Sequence, residues 1–121
     1  IFEKKGENFF RNLEEKITLK LLNSSNNVIS LGGGAFINEK IRKIVLKNHY
    51  SFWLNCDTQT LLNRIKNSKK RPIAFNLSND ELTELIEERA KIYSKAQFKI
   101  NCYKLKKTKI VKKILKIYES N

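Results

Sequence analysis

The sequence predicts an α/β fold in which a parallel sheet carries helices on both faces. Three observations predict it. Short apolar runs rich in β-formers, "VISL", "YSFWLNC" and "AQFKIN", alternate with longer stretches whose apolar residues recur at helical spacing. Three of the four glycines stand together at positions 32–34, where the first such run turns towards a helix. A chain of 121 residues suffices for one core but not two, so 1–121 reads as a single domain.

Each element has a local cause. Residues Glu7 to Leu22 place Phe10, Leu13, Ile17 and Leu21 on one helical face, and "NSSNN" ends that helix. "VISL" is a short buried strand, and the glycines follow it. Asn38 is placed to cap a second helix whose apolar side is Ile41, Ile44 and Val45. Phe52, Trp53 and Leu54 make a second buried strand, after which Asp57 or Thr58 starts a helix through Leu61, Leu62 and Ile65. The lysine-rich "NSKKRPIAFNLSN", about 67–79, holds Pro72, the chain's one proline, and reads as a mobile loop. Ser78 and Glu81 form a capping box that launches a helix through Leu82, Leu85, Ile86, Arg89 and Tyr93. "AQFKIN" is the third strand, and Lys109 to Tyr118 form a basic amphipathic helix. In such sheets ligands bind where strands end and loops lead into helices, which is where the glycines lie.

Apolar residues make up 40% of the chain and aromatics 10%, enough with this periodicity to exclude a disordered chain. The net charge of +13 raises nucleic acid as a partner. The excess, however, is lysine: of 25 basic residues only Arg11, Arg42, Arg64, Arg71 and Arg89 are arginine. Abundant Lys, Asn and Ile with scarce Gly and Pro is the bias an A/T-rich genome imposes, so a solvated lysine surface is the preferred reading. In that background an arginine stands out. Two distant cysteines, Cys56 and Cys102, and one histidine, His49, exclude a zinc cluster and a disulfide framework, so reduced thiols in a cytoplasmic protein are expected. No apolar run approaches the roughly 18 residues needed to span a bilayer. The chain begins at Ile1 and contains no methionine, so the expectation is the downstream part of a longer protein or the product of an incomplete gene.

Four stretches carry candidate chemistry. The glycine triplet exposes backbone N–H groups with no Cβ in the way, which suits a phosphate or a small polar substrate, or merely a tight connection. In "GENFFRNLEE", Arg11 and Glu14 are three apart and share a helical face; pairing would hold the arginine rigid for a bidentate grip on a carboxylate. Arg64, Lys66, Lys69, Lys70 and Arg71 crowd the loop before Pro72, as in cationic loops that close over a nucleotide. Arg89 lies three residues after Ile86 and four before Tyr93, near the buried side of its helix, where a guanidinium requires an anionic partner.

"GExxFRxxE", then "SLGGGA", then a Lys/Arg loop ending "RP", then "ERxxxY", in this order and spacing, resembles shikimate kinase over essentially all 121 residues. The resemblance implies a P-loop fold of the nucleoside-monophosphate-kinase type and a cytoplasmic, magnesium-dependent, ATP-binding transferase. That transferase phosphorylates the 3-hydroxyl of shikimate on the route to chorismate and the aromatic amino acids. It implies that Arg11 and Arg89 clamp the shikimate carboxylate and that Gly33, flanked by Gly32 and Gly34, offers its N–H near the substrate and the transferred phosphate. It further implies that Glu14 orients Arg11, that Arg71 reaches the ATP phosphates from a lid at about 67–79, and that Arg64 lies over the adenine. Lys104 to Lys107 occupy the family's adenine-loop position with a poor match, and no residue is assigned there.

The sequence also departs from the family. Nothing matches G-x-x-x-x-G-K-[ST], whose lysine and hydroxyl serve the phosphates and Mg2+, and the Asp-bearing segment is missing as well. No catalytic residue and no metal ligand are therefore assigned. About three of the family's five strands remain, with "VISL" and "YSFWL" flanking an empty slot, so the chain alone is expected to be marginally stable and inactive. The expected partners are shikimate and ATP, with no membrane and a monomeric full-length protein. The competing functions are a basic nucleic-acid-binding module, for which no reader motif is present, and another P-loop small-molecule kinase such as a gluconate kinase.

Overall fold

A computed structural model describes residues 2–24, 27–67 and 77–121. It divides into two compact units, Ile1–Tyr50 and Ser51–Asn121.

The first unit is a helix, a glycine-bearing connection and a second helix. Helix α1 spans Phe2–Leu22 and is broken at Gly6, whose φ of 81° and ψ of 173° suit only a residue without a Cβ. The regular helix therefore starts at Glu7, as the periodicity predicts. Asn38 caps α2 (Glu39–Asn48), its Oδ1 accepting from the Ile41 N–H at 3.1 Å. Among the described residues the unit buries Thr18 and Leu22 from α1, Ala35 and Phe36 from the connection, and Ile41 and Val45 from α2. Three overlapping turns, Ala35 N–H to Gly32 O, Ile37 N–H to Gly34 O and Asn38 N–H to Ala35 O, wind the chain from the glycines to the cap.

The expected "VISL" strand does not form among the described residues. Residues 28–31 join no ladder, and Val28 is fully exposed. Extended backbone becomes a strand only when a neighbour takes up its N–H and C=O groups, and no described segment does so here. Among the described residues two strands are present instead of about three.

The second unit holds both of them. Strand β1 (Phe52–Asn55) runs parallel to β2 (Phe98–Asn101), with Phe52 opposite Phe98 and Asn55 opposite Asn101. Ser51 starts the ladder by accepting from Phe98 N–H through its carbonyl and from Gln97 N–H through its hydroxyl. Two helices intervene in the chain between the strands: α3 (Thr58–Lys66) and α4 (Asn79–Tyr93). They pack on each other, and Leu62 and Leu82 are their buried residues. Asp57 caps α3 through Thr60, and the Ser78–Glu81 capping box opens α4 as expected. On one sheet face Cys56, Ile100 and Cys102 form a core with Phe52, with Leu61 of α3, and with Ile110, Ile114 and Ile117 of α5 (Lys107–Glu119). Side chains alternate along a strand, so Trp53 points to the other face, where the Tyr93 ring lies 6.3 Å away. Helix α5 thus packs on one face of the two-stranded sheet, while on the other Lys99 and Asn101 stay exposed.

Candidate functional site

In the first unit the glycine segment and α1 meet through one arginine. Arg11 and Glu14 stand one helical turn apart, and Arg11 Nη1 donates to Glu14 Oε1 at 2.9 Å. Glu7 lies 3.8 Å from Arg11 Nε, and the Phe10 ring centroid is 5.1 Å from Cζ. The Arg11 side chain is 29% exposed and that of Glu14 17%, so this pair is more sheltered than an ordinary surface bridge.

The glycines make this seat. A Cβ built on Gly34 would lie 2.6 Å from Arg11 Cζ and 2.8 Å from Nη2, closer than such atoms approach. One on Gly32 would meet Glu14 Oε2 at 3.3 Å. Part of the reason for three adjacent glycines is therefore internal: bare main chain lets a guanidinium and its carboxylate partner lie against it. Gly33, between them, is exposed at the start of the turns.

Two further contacts brace this seat and were not read from the sequence. Asn38 caps α2 with its oxygen and donates through Nδ2 to Glu15 Oε2 at 2.8 Å, tying α1 to the start of α2. Arg42 Nη1 donates to the carbonyls of Phe36 and Ile37, both at 3.1 Å, which holds the segment that follows the glycines. The available signal for Arg42 was its being arginine in a lysine-rich chain. An apolar hollow of about 230 Å³ lined by Phe9, Asn12, Leu13 and Lys16 lies on the opposite face of α1 and holds none of these groups.

The remaining candidates are elsewhere. Arg89 is half-buried on α4, and its guanidinium has no hydrogen-bond or ion-pair partner among the described residues. Arg64 is exposed in the last turn of α3. Both belong to the second unit, whereas Arg11, Glu14, Gly32 and Gly34 make their mutual contacts within the first. Arg71 and most of the expected lid lie outside the described residues. Lys104 adopts φ 58°, and Leu105 N–H closes a turn onto Cys102 O.

The shifted titrations among the described residues all fall in the second unit. The Thr60 hydroxyl, then its N–H, lowers Asp57; the Ser78 N–H, then its hydroxyl, lowers Glu81; burial, then Cys56, raises Cys102. The first two are consequences of helix caps and the third of the core. Among the described residues no group of three or more His, Cys, Asp or Glu side chains is placed to hold a metal ion. No helix there is long and apolar enough to cross a membrane.

Comparison with known proteins agrees with this architecture. The family model for shikimate kinase matches residues 1–119. A shikimate kinase from Aquifex aeolicus is 40% identical over all 121 residues, which span 71% of its length. One from Bartonella quintana is 37% identical over 116 residues, which are 95% of this chain and 55% of that protein. The chain thus spans between about half and seven-tenths of the length of these relatives. Among solved structures, the shikimate kinase from Aquifex aeolicus superimposes with a TM-score of 0.83 at 35% identity, covering 100% of this chain and 69% of that one. The enzyme from Bacteroides thetaiotaomicron gives 0.75 at 29% identity over 98% of this chain and 70% of the other.

Proposed function

The chain belongs to the shikimate kinase family, and from that premise we propose that it is the shikimate-gripping and lid portion of such an enzyme. The reaction is ATP + shikimate to ADP + 3-phosphoshikimate, in the cytoplasm, with a monomeric full-length protein. Arg11 and Arg89 grip the shikimate carboxylate. Two guanidinium groups on one carboxylate form charge-assisted, forked hydrogen bonds that fix the ring's orientation and so the direction of its 3-hydroxyl. Glu14 holds Arg11 in the gripping rotamer. Gly33 offers its N–H near the substrate and the transferred phosphate, with Gly32 and Gly34 beside it. Arg71 comes from the lid, about 67–79, onto the ATP phosphates, where it offsets charge and excludes water. Arg64 lies over the adenine. The single domain 1–121 supplies no general base and no phosphate loop.

The observation that carries this reading is the seating of Arg11. A sheltered guanidinium, oriented by Glu14 and pressed on Gly34 main chain, is a preformed fork beside the glycine backbone. Half-buried Arg89, with no anionic partner among the described residues, supports it. The family's chemistry uses magnesium; among the described residues no cluster of three or more His, Cys, Asp or Glu side chains is placed to hold it. The chain's own residues bind, orient and shield; phosphoryl transfer needs groups these 121 residues do not contain.

Isothermal titration with shikimate and with gluconate tests the reading. Shikimate binding at least about tenfold tighter than gluconate is expected, from the fit of the two arginines to a ring carboxylate. Equal affinity, or tight salt-sensitive binding of DNA or RNA without shikimate binding, would contradict it.

A further inference from the structure

The two cysteines, 46 positions apart in the sequence, are brought side by side. Asn55 and Asn101 pair in the parallel register, so Cys56 and Cys102 are the next opposed positions. The ladder ends there, and its last bond, Cys102 N–H to Asn55 O at 2.7 Å, holds Cys102 beside the end of β1, one residue before Cys56. Neighbouring strands stand about 4.8 Å apart, inside the Cα separation of about 4.4–6.8 Å over which a disulfide closes. By strand alternation both side chains fall on the face of Ile100, and both are buried in the same core cluster.

We infer that Cys56 and Cys102 are a dithiol modification site, which a low-molecular-weight disulfide converts to an intramolecular Cys56–Cys102 crosslink. The reaction balances as two protein thiols plus one small disulfide, giving one protein disulfide plus two small thiols. One thiolate attacks the small disulfide and releases the first small thiol. The second cysteine then displaces the other, and each cysteine gives up its proton. The crosslink ties the carboxyl end of β1, one residue before the α3 cap at Asp57, to the carboxyl end of β2 and the turn through Lys104. This inference is independent of the proposed function, because it needs neither Arg11 nor any substrate.

The surroundings set the pH dependence. Burial and the neighbouring Cys56 raise the Cys102 thiol, while Arg64 of α3 and Lys113 of α5 oppose the shift. Crosslinking therefore accelerates as pH rises from about 7 to 9, because the thiolate is the attacking species.

The test is incubation of the chain in an oxidised and reduced glutathione buffer, acid quench, alkylation of free thiols and intact-mass measurement. The expected product is a monomer lighter by about 2 Da that takes up no alkylating agent and reverts with dithiothreitol. At the same glutathione poise the native chain is expected to be about tenfold more crosslinked than the chain in urea. Cys56→Ser and Cys102→Ser should each abolish the mass loss. Free thiols on the native chain, separate glutathione adducts, intermolecular dimers, or equal crosslinking in urea would each overturn the inference. The comparison between native and urea-unfolded wild type decides even if neither variant folds.

Discussion

The guanidinium of Arg11 sits where a side chain on Gly34 would have to be: the missing Cβ would come within 2.6 Å of Arg11 Cζ. A residue on a helix and a residue in a connection thus compete for one space. Glycine at position 34 leaves that space to the guanidinium.

Gly34→Ala should therefore damage the site more than the fold. The atoms that must yield are the far end of a flexible side chain, so unfolding free energy is expected to drop by less than about 1 kcal/mol. Arg11 must leave Glu14 to make room, and shikimate affinity should fall about tenfold or more. Gly32→Ala, whose Cβ would meet Glu14 at 3.3 Å, should cost less. Titration calorimetry alongside urea denaturation separates the two effects. A large stability loss with affinity unchanged would refute the argument.

The brace around the seat should act through geometry. Arg42→Lys keeps the charge but loses the planar fork that reaches both the Phe36 and Ile37 carbonyls. Shikimate binding is expected to weaken about threefold to tenfold, with Asn38→Ala costing about 1 kcal/mol of stability besides, through the lost cap. Affinity in Arg42→Lys equal to that of wild type would show that the segment holds its shape without it.

Acid should unfold the second unit partly through its caps. The Asp57 carboxyl is lowered by hydrogen bonds from the Thr60 hydroxyl and N–H, and that of Glu81 by the Ser78 N–H and hydroxyl. A group lowered in the folded state contributes stability above its unfolded pKa, and that contribution is lost as pH falls through the folded value. Thermal midpoints are expected to fall below about pH 4, and the fall should flatten in an Asp57→Asn, Glu81→Gln double variant. An unchanged acid limb in that variant would remove the caps from the account.

These caps also show what was legible in the sequence. Asn38, Asp57 and Ser78 each act on a backbone group three residues ahead, so their roles are written locally, as is the Arg11–Glu14 pair at one helical turn. The "VISL" strand failed for the opposite reason. Its apolar content is local, but pairing depends on a neighbour that no local pattern specifies. The Asn38–Glu15 bond spans 23 positions, and Arg42 reaches carbonyls rather than side chains, so neither leaves a trace in spacing. The glycine triplet was legible as a place where something approaches the backbone. That one such approach comes from within the chain was not.

With a sheet of two strands of four residues each among the described residues, the chain should be marginally stable by itself. Circular dichroism is expected to show a broad, low-temperature transition, and coupled-enzyme assays no shikimate-dependent ADP release. A sharp, reversible melt at high temperature would contradict the first expectation and measurable turnover the second.

The most direct test is a double-mutant cycle on shikimate affinity with Arg11→Ala, Arg89→Ala and the pair. If both guanidinium groups hold one carboxylate, each single change weakens binding about tenfold or more. The double change should then differ from the sum of the singles by about 0.5–3 kcal/mol. Strictly additive losses, or no loss from either change, would mean that the two arginines do not share a ligand.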